Sequence, residues 1–273
     1  MLARLVVTFM SSAYSADRKD ATILLSHELG IPYHRLFLDI DIIDVSDGSL
    51  KRLHNQMERL ASGEPLSKII QKKEFYGIEF CTNGYTLDPR PETELIVDLV
   101  KAHYRDFSKH LAILDLGSGT GCIGLSLLTM YKNSVCSFVD IEGQALDVAI
   151  TNATQLGLRA RCRFILSDWF ANVAETFDII VCNPPYVSTT FALDRSAQFD
   201  PQTALFAGVE GMDAYLAILP QIGEFLNHNG KAFIEIGFDQ SEKFMNIDHG
   251  LETIGIERDL NGIQRVVILG KLK

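Results

Sequence analysis

An asparagine, two prolines and a tyrosine stand directly after an apolar run in the second half of the chain. The apolar run is residues 179–182, and Asn183, Pro184, Pro185 and Tyr186 follow it. An apolar run that stops at residues poor in backbone donors predicts the end of a buried parallel strand. The bland alternative is a turn after a core strand, because Asn and Pro are common turn residues.

This corner offers a site for a planar NH2 group. The side-chain carbonyl of Asn183 and the main-chain carbonyl of Pro184 would be two acceptors, with the flat ring of Tyr186 beside them. Two converging acceptors suit an amide, a guanidine or the exocyclic amine of a base. Holding both N–H bonds also draws the lone pair of the nitrogen out of conjugation, which makes a poor nucleophile attackable.

A glycine-rich loop follows an earlier apolar run and precedes a helical pattern. It consists of Gly117, Ser118, Gly119, Thr120 and Gly121. Glycines at alternate positions let the main chain approach a ligand, and the start of a helix offers free N–H groups. Asp140 ends the next strand pattern, where its carboxylate can accept both hydroxyls of a ribose. Because Gly119, Gly121 and Gly124 also form a G-x-G-x-x-G pattern, a nicotinamide dinucleotide fits this region nearly as well.

Three further features favour S-adenosylmethionine as the cofactor: Asp115 before the glycines, Asp168-Trp169 after the third strand, and the corner at residues 183–186. Asp168 can accept a hydrogen bond from an adenine amine, with Trp169 beside the ring. A loop with a capping Asp and a half-buried Trp is the structural alternative. Asn183 directly follows the strand at residues 177–182, and we expect it to contact both the cofactor and the substrate.

The elements that must position these residues alternate along the chain. Strand patterns at residues 111–116, 135–139, 162–166, 177–182 and 232–236 are separated by helical patterns, and 251–257 with 265–269 read as a closing antiparallel pair. This order predicts an α/β fold with a Rossmann-like, doubly wound, mainly parallel sheet. We expect residues 1–72 to form a small helical domain for substrate recognition, with a purely structural packing role as the alternative. Residues 73–88 would be a linking hairpin that turns at Asn83-Gly84, and residues 89–273 the methyltransferase domain.

Composition narrows the function classes. The net charge is −10, and the acidic surplus lies in residues 73–273, because residues 1–72 hold equal numbers of basic and acidic side chains. This balance disfavours direct nucleic-acid binding. The five cysteines are widely spaced, and four of them stand in apolar patterns, which indicates reduced core residues and neither a metal site nor a disulfide frame. No apolar run is long enough to span a membrane, and residues 5–10 are too short for a secretory signal. We therefore expect a cytoplasmic protein without membrane contact.

Several segments together carry a resemblance to a known family. They are residues 63–66, 89–94, 115–121, 140–153, 168–170, 183–186 and 235–240. In these segments the chain resembles the release factor glutamine methyltransferases of HemK type. The resemblance implies methyl transfer from S-adenosylmethionine to the side-chain amide of a glutamine in the Gly-Gly-Gln loop of a peptide chain release factor. Departures from the family pattern at Lys68, Asp88 and Ala207-Gly208 concern release factor docking and leave the reaction in place.

The expected mechanism is direct in-line displacement without a metal or covalent intermediate, so the protein supplies positioning and electrostatics. Asn183 and the Pro184 carbonyl would hold the glutamine NH2 group, and Tyr186 would pack on the amide plane. Two rivals stay open: a methyltransferase acting on the exocyclic amine of adenine or guanine in nucleic acid, and a non-catalytic binding protein that keeps the fold.

Overall fold

The computed structural model describes residues 1–271 and divides into two units. One unit comprises Met1–Lys72 together with Leu193–Phe199. The other comprises Lys73–Ala192 and the chain from Asp200 onward.

The first unit is helical. Its helices are α1 (Ala3–Tyr14), α2 (Arg18–Leu29), α3 (Tyr33–Asp39), α4 (Asp47–Ala61) and α5 (Leu66–Ile70). Capping residues mark their ends: Asp17 accepts a hydrogen bond from Lys19 N at 2.7 Å, and α2 ends at Gly30 in the left-handed conformation. Both features satisfy backbone groups that a helix end leaves unpaired. Leu53 and Met57 lie one turn apart on α4 and are fully buried, so the apolar stripe of this helix faces the core of the unit.

The second unit is built on a seven-stranded sheet within the described residues. Its strands are β3 (Ala112–Leu116), β4 (Val135–Asp140), β5 (Cys162–Leu166), β6 (Phe177–Cys182), β7 (Leu226–Glu235), β8 (Glu252–Arg258) and β9 (Gln264–Gly270). The strand order is β5-β4-β3-β6-β7-β9-β8, with β3 to β7 parallel and β9 antiparallel to both of its neighbours. The helices are α6 (Glu94–His103), α7 (Cys122–Met130), α8 (Gly143–Gln155), α9 (Asp213–Ile222) and α10 (Ser241–Met245). The predicted Rossmann-like fold with a closing antiparallel pair is confirmed.

Strand β6 is buried on both faces. Ile179 and Val181 belong to the apolar cluster on one side of the sheet, and Ile180 and Cys182 belong to the cluster on the other side. All four side chains have no exposed surface. Burying an aliphatic side chain of this size contributes about 1.5–3 kcal/mol relative to exposure. The continuous apolar run therefore anchors the corner that follows it.

The order of the strands creates a switch point between β3 and β6. The chain passes from β3 outward to β4 and β5, and then returns to the other side of β3 with β6. The helices that follow β3 and β6 therefore leave the sheet in opposite directions. In sheets of this kind, ligands bind beyond the carboxyl ends of the strands at this point.

The hairpin before the sheet differs from the prediction. Its strands are β1 (Lys72–Phe75) and β2 (Ile78–Cys81), and its turn is at Tyr76-Gly77 instead of Asn83-Gly84. Tyr76 and Gly77 have φ values of 53° and 72°, which is the left-handed pair that a two-residue hairpin requires. Asn83 instead accepts a hydrogen bond from Tyr85 N at 2.9 Å and forms a local turn.

Three predicted bounds also change. The sequence pattern predicts one helix that reaches about residue 107 and another over residues 213–226, whereas these helices end at His103 and at Ile222, two residues after Pro220. A short 3-10 turn then leads into β7, which begins at Leu226 and not at residue 232. The pairing register between β6 and β7 shifts near Asn229, whose φ is 64°, and this irregularity hid the early part of the strand from the sequence pattern.

Candidate active site

A cavity of about 350 Å³ lies at the carboxyl ends of β3, β4, β5 and β6. Residues that directly follow these strands line it, together with residues from segments 85–93 and 201–206. All of the lining residues belong to the second unit. Its volume is in the range of small-molecule sites.

The cavity gathers most of the residues that the sequence predicted for the site. The lining includes Gly117, Ser118, Gly119, Thr120, Asp140, Asp168, Trp169, Asn183 and Pro185. Gly121, Pro184 and Tyr186 lie outside the lining. Pro184 is buried, and Gly121 precedes α7 with its Cα turned toward protein: a Cβ there would lie 3.2 Å from the Ala149 Cβ.

Left-handed glycines shape the loop after β3. Gly117, Gly119 and Gly121 have φ values of 73°, 51° and 75°, a conformation that costs residues with a Cβ about 1–2 kcal/mol. A Cβ built on Gly119 meets no protein atom within 4 Å. Because Gly119 also lines the cavity, its main chain faces the cavity without a covering side chain and is accessible to a ligand.

Asp140 connects the loop to the end of β4. Its Oδ2 accepts a hydrogen bond from Gly119 N at 2.8 Å, and its Oδ1 accepts one from Glu142 N at 3.0 Å. Burial raises the pKa of this carboxyl, and the backbone donors partly oppose the rise. A carboxylate oxygen has more than one lone pair, so Asp140 can accept further hydrogen bonds from a ligand that carries hydroxyls.

The polar atoms of the lining fit a nucleoside-like cofactor. The Ser118 hydroxyl is buried and has no hydrogen-bond partner among residues 1–271. A buried polar atom without a partner is unfavourable unless a ligand or water satisfies it. Asp168 is exposed at the cavity and the Trp169 ring is half-buried, with a left-handed φ of 46°. The cavity therefore offers a carboxylate for ribose hydroxyls, a hydroxyl without a partner and an indole ring. These groups fit the adenosine portion of the expected cofactor.

Asp115 supports the glycine loop from below. Its side chain is 1% exposed, and its Oδ2 accepts a hydrogen bond from Gly124 N at 2.8 Å. Burial raises the pKa of Asp115 to about 7, against the opposing effect of the Gly124 donor. Asp115 thus ties the end of β3 to the first turn of α7 and does not line the cavity.

The corner after β6 is held by a chain of hydrogen bonds. Asn183 Nδ2 donates to Thr93 Oγ1 at 3.1 Å, and the Thr93 hydroxyl donates to Glu235 Oε2 at 2.6 Å. The Tyr186 phenol donates to the other carboxylate oxygen, Glu235 Oε1, at 3.2 Å. Burial and the Glu235 charge raise the pKa of Tyr186 above its usual range, so its hydroxyl stays a donor.

A second polar cluster borders the cavity on the side of residues 88–90. Arg90 Nη2 donates to Asp200 Oδ2 at 2.7 Å, and Asp88 N donates to Asp200 Oδ1 at 3.2 Å. The buried Asp88 side chain accepts from the Thr82 hydroxyl at 2.8 Å. The acidic residue that departs from the family pattern before Pro89 is thus placed among hydrogen-bond donors.

No local sequence pattern indicates a role for Thr93, Glu235 or Arg90. Thr93 and Glu235 lie in two of the segments that resemble the family, but neither has a hydrogen-bond partner nearby in the sequence. One signal was available: Glu235 is a charged residue at the end of an apolar strand, and a buried charge requires partners.

Comparisons with known proteins agree with this geometry. The family described as "Methyltransferase small domain" matches residues 90–198. A release factor glutamine methyltransferase of Agrobacterium fabrum is 37% identical over 231 residues, which cover 82% of this chain and 80% of that protein. The crystal structure of a methyltransferase from Pyrococcus furiosus has a TM-score of 0.53 at 16% identity and covers 80% of this chain and 98% of that one; this likeness shows the fold.

Longer relatives also match. A bifunctional methyltransferase of Rickettsia conorii is 32% identical over 287 residues, which cover 94% of this chain but 55% of that protein. The chain therefore spans about half the length of these bifunctional relatives. Among residues 1–271, no helix has the length and apolar character needed to cross a membrane.

Proposed function

We propose that this chain, which belongs to the release factor glutamine methyltransferase family, transfers a methyl group from S-adenosylmethionine to the side-chain amide nitrogen of a glutamine in a peptide chain release factor. The glutamine would be that of the Gly-Gly-Gln loop. The observation that carries the proposal is the orientation of Asn183: its NH2 group is bound to Thr93, which leaves its carbonyl as the free acceptor at the cavity.

The cofactor site would use the residues after β3, β4 and β5. Asp140 would accept from the ribose hydroxyls, the Ser118 hydroxyl would find its missing partner, and Asp168 with Trp169 would contact the adenine. When bound, S-adenosylmethionine supplies an activated methyl group. The bare main chain at Gly119 allows close approach, since no side chain covers it.

The substrate amide would be held by the corner after β6. The Asn183 carbonyl and the Pro184 carbonyl would accept its two N–H bonds, and the Tyr186 ring would lie near the amide plane. Such preorganised acceptors act without reorganisation during the reaction, and one of them is typically worth about 10²–10³ in rate. No general base is needed before attack, because methylation itself makes the nitrogen proton acidic.

The helical unit, with residues 1–72, would recognise the folded release factor. Its own core is independent of the cavity, and its sequence carries no cluster of catalytic groups. Because release factors act on ribosomes, the reaction would take place in the cytoplasm. Direct binding of nucleic acid is not part of the proposal.

A substrate panel tests this function. The protein is incubated with radiolabelled S-adenosylmethionine and, separately, with a release factor, with DNA and with RNA. We expect label on the release factor alone, and at least about a hundredfold less label with Asn183→Ala at saturating substrate and cofactor. Label on DNA or RNA, with none on the release factor, would contradict the proposal.

A further inference from the structure

Glu235 lies beside the corner because of strand register. In the β6–β7 ladder, Cys182 is paired with Ile234, so the next residues of the two strands, Asn183 and Glu235, emerge at the same level. Glu235 is 1% exposed. A carboxylate at this depth is costly unless it is hydrogen-bonded, and its two oxygens are bound by Thr93 and Tyr186.

The number of protons at Thr93 decides how Asn183 is turned. A threonine hydroxyl carries one proton and can donate one hydrogen bond. An ionised carboxylate only accepts, so the Thr93 proton is committed to Glu235 Oε2, at 2.6 Å. The Thr93 oxygen can then only accept, and the Asn183 group that faces it must be the NH2 group. The Asn183 carbonyl is thereby directed away from Thr93.

The same carboxylate fixes the second side chain of the corner. Glu235 Oε1 accepts from the Tyr186 phenol at 3.2 Å. The main chain of Tyr186 is held independently, because Gln240 Nε2 donates to the Tyr186 carbonyl at 2.9 Å. The backbone of the corner is therefore fixed without Glu235, whereas the orientation of the Asn183 amide depends on it.

We propose that Glu235, acting through the Thr93 hydroxyl, is a positioning residue that sets the orientation of the Asn183 amide and so presents its carbonyl to the substrate. Glu235 does not contact substrate or cofactor. The activity readout of this inference rests on the proposed function, but its structural readout does not.

The hydrogen-bonded relay of Glu235, Thr93 and Asn183 should make turnover depend on pH. Burial raises the pKa of Glu235 from 4.5 to about 7, although hydrogen bonds from Thr93 and Tyr186 oppose the rise. A protonated Glu235 can donate to Thr93, which frees the Thr93 proton to face Asn183 and favours the flipped amide. Turnover should therefore rise with pH as Glu235 loses its proton. Other titratable or charged groups that interact with Glu235 include Glu92, Cys182, Tyr186, Tyr215 and Arg265, and Arg90 interacts with Tyr186.

Three variants and one control test the relay. Thr93→Val keeps the shape and removes the hydroxyl, Thr93→Ser keeps the hydroxyl, and Glu235→Gln removes the obligatory acceptor. Asp178→Asn is the matched control: its carboxylate accepts from Ala112 N at 2.8 Å at the far end of β6. We expect Thr93→Val and Glu235→Gln to lower kcat about tenfold, the scale of one lost hydrogen bond. Thr93→Ser and Asp178→Asn should stay within about twofold to threefold of the wild type.

Two further readouts separate positioning from general damage. Calorimetry should give an S-adenosylmethionine Kd within about twofold of the wild type for every folded variant, since these residues are outside the proposed cofactor contacts. In the full-length wild type, the Asn183 side-chain amide signals in a heteronuclear NMR spectrum should shift with a midpoint near pH 7, and this shift should be absent in Glu235→Gln. The wild-type titration needs no variant to fold.

The outcomes are distinguishable. If the wild type transfers no methyl group to a release factor, the proposed function fails, while the NMR titration still decides the relay. The relay is overturned if the Asn183 amide signals are insensitive to pH and to Thr93→Val, or if Thr93→Val and Glu235→Gln keep wild-type kcat and pH profile. Equal loss of kcat in Asp178→Asn would also overturn it.

Discussion

The open space beside Gly119 gives a matched pair of substitutions that tests the cofactor site. Gly119 and Gly157 have φ values of 51° and 69°, and a Cβ on either meets no protein atom within 4 Å. Gly119 lines the cavity, whereas Gly157 lies in an exposed turn after α8. The two glycines therefore share their backbone requirement and differ in what lies next to them.

Gly119→Ala and Gly157→Ala should destabilise the fold to a similar extent. A left-handed alanine costs about 1–2 kcal/mol, and neither new methyl group clashes with protein atoms. At about 2–4 °C per kcal/mol for a chain of this size class, both variants should lose a few degrees in Tm without ligand. Gly119 keeps its N–H in the alanine variant, so the hydrogen bond to Asp140 is retained.

Cofactor binding should separate the two variants. A methyl group added where a ligand packs closely costs about 1–3 kcal/mol, which is about a 5- to 150-fold weaker Kd. We expect this loss for Gly119→Ala with S-adenosylmethionine in calorimetry, and an unchanged Kd for Gly157→Ala. Equal affinities for both variants would refute the reasoning that the main chain at Gly119 contacts the cofactor.

Three other expectations concern single regions of the chain. Asp140→Ala should weaken S-adenosylmethionine binding by about 1.5–3 kcal/mol, the scale of hydrogen bonds to a charged group; unchanged affinity in calorimetry, with tight binding of a nicotinamide dinucleotide, would reject the ribose role. Because the pKa of Glu235 is raised from 4.5 to about 7, the folded state binds the extra proton in this window and loses stability as pH rises through it. Between about pH 5 and about pH 8 in urea unfolding, the wild type should therefore lose on the order of 3 kcal/mol more stability than Glu235→Gln. Asp115, whose pKa is also raised to about 7, adds the same loss to both proteins, and equal pH dependence in both proteins would contradict burial of the Glu235 charge. A protein that begins at Lys73, shown to be folded by near-ultraviolet circular dichroism, should bind S-adenosylmethionine but methylate an intact release factor poorly; full activity would give the helical unit another purpose.

The site residues next to strand ends could be predicted from the sequence. The apolar run of β6, the glycines after β3 and Asp140 at the end of β4 each have a local signature, and parallel strands bring their carboxyl ends to one edge. These local patterns were sufficient to predict the fold and nine of the residues that line the cavity.

Long-range hydrogen bonds were out of reach. Thr93 and Glu235 are separated by 142 positions, and neither position has a periodic pattern that names its partner. The predicted position of the hairpin turn was wrong for a different reason. Both Tyr76-Gly77 and Asn83-Gly84 fit a tight turn, and the Asn-Gly pair is the stronger local signal. In the structure the turn lies at Tyr76-Gly77. Tyr76 N in that turn donates a hydrogen bond to Glu94 Oε1 at 2.7 Å, a contact with α6 that the sequence does not reveal.

Identification of the methylated atom shows whether the protein modifies the glutamine side chain of a release factor. A release factor is treated with this protein and S-adenosylmethionine, digested, and its peptides are fragmented in a mass spectrometer. We expect the mass of one methyl group on the glutamine side chain of the Gly-Gly-Gln loop, added at least about a hundredfold more slowly when Asn183→Ala replaces the wild-type protein. A methyl group on any other residue, or on the same glutamine at equal rate with Asn183→Ala, would contradict the account.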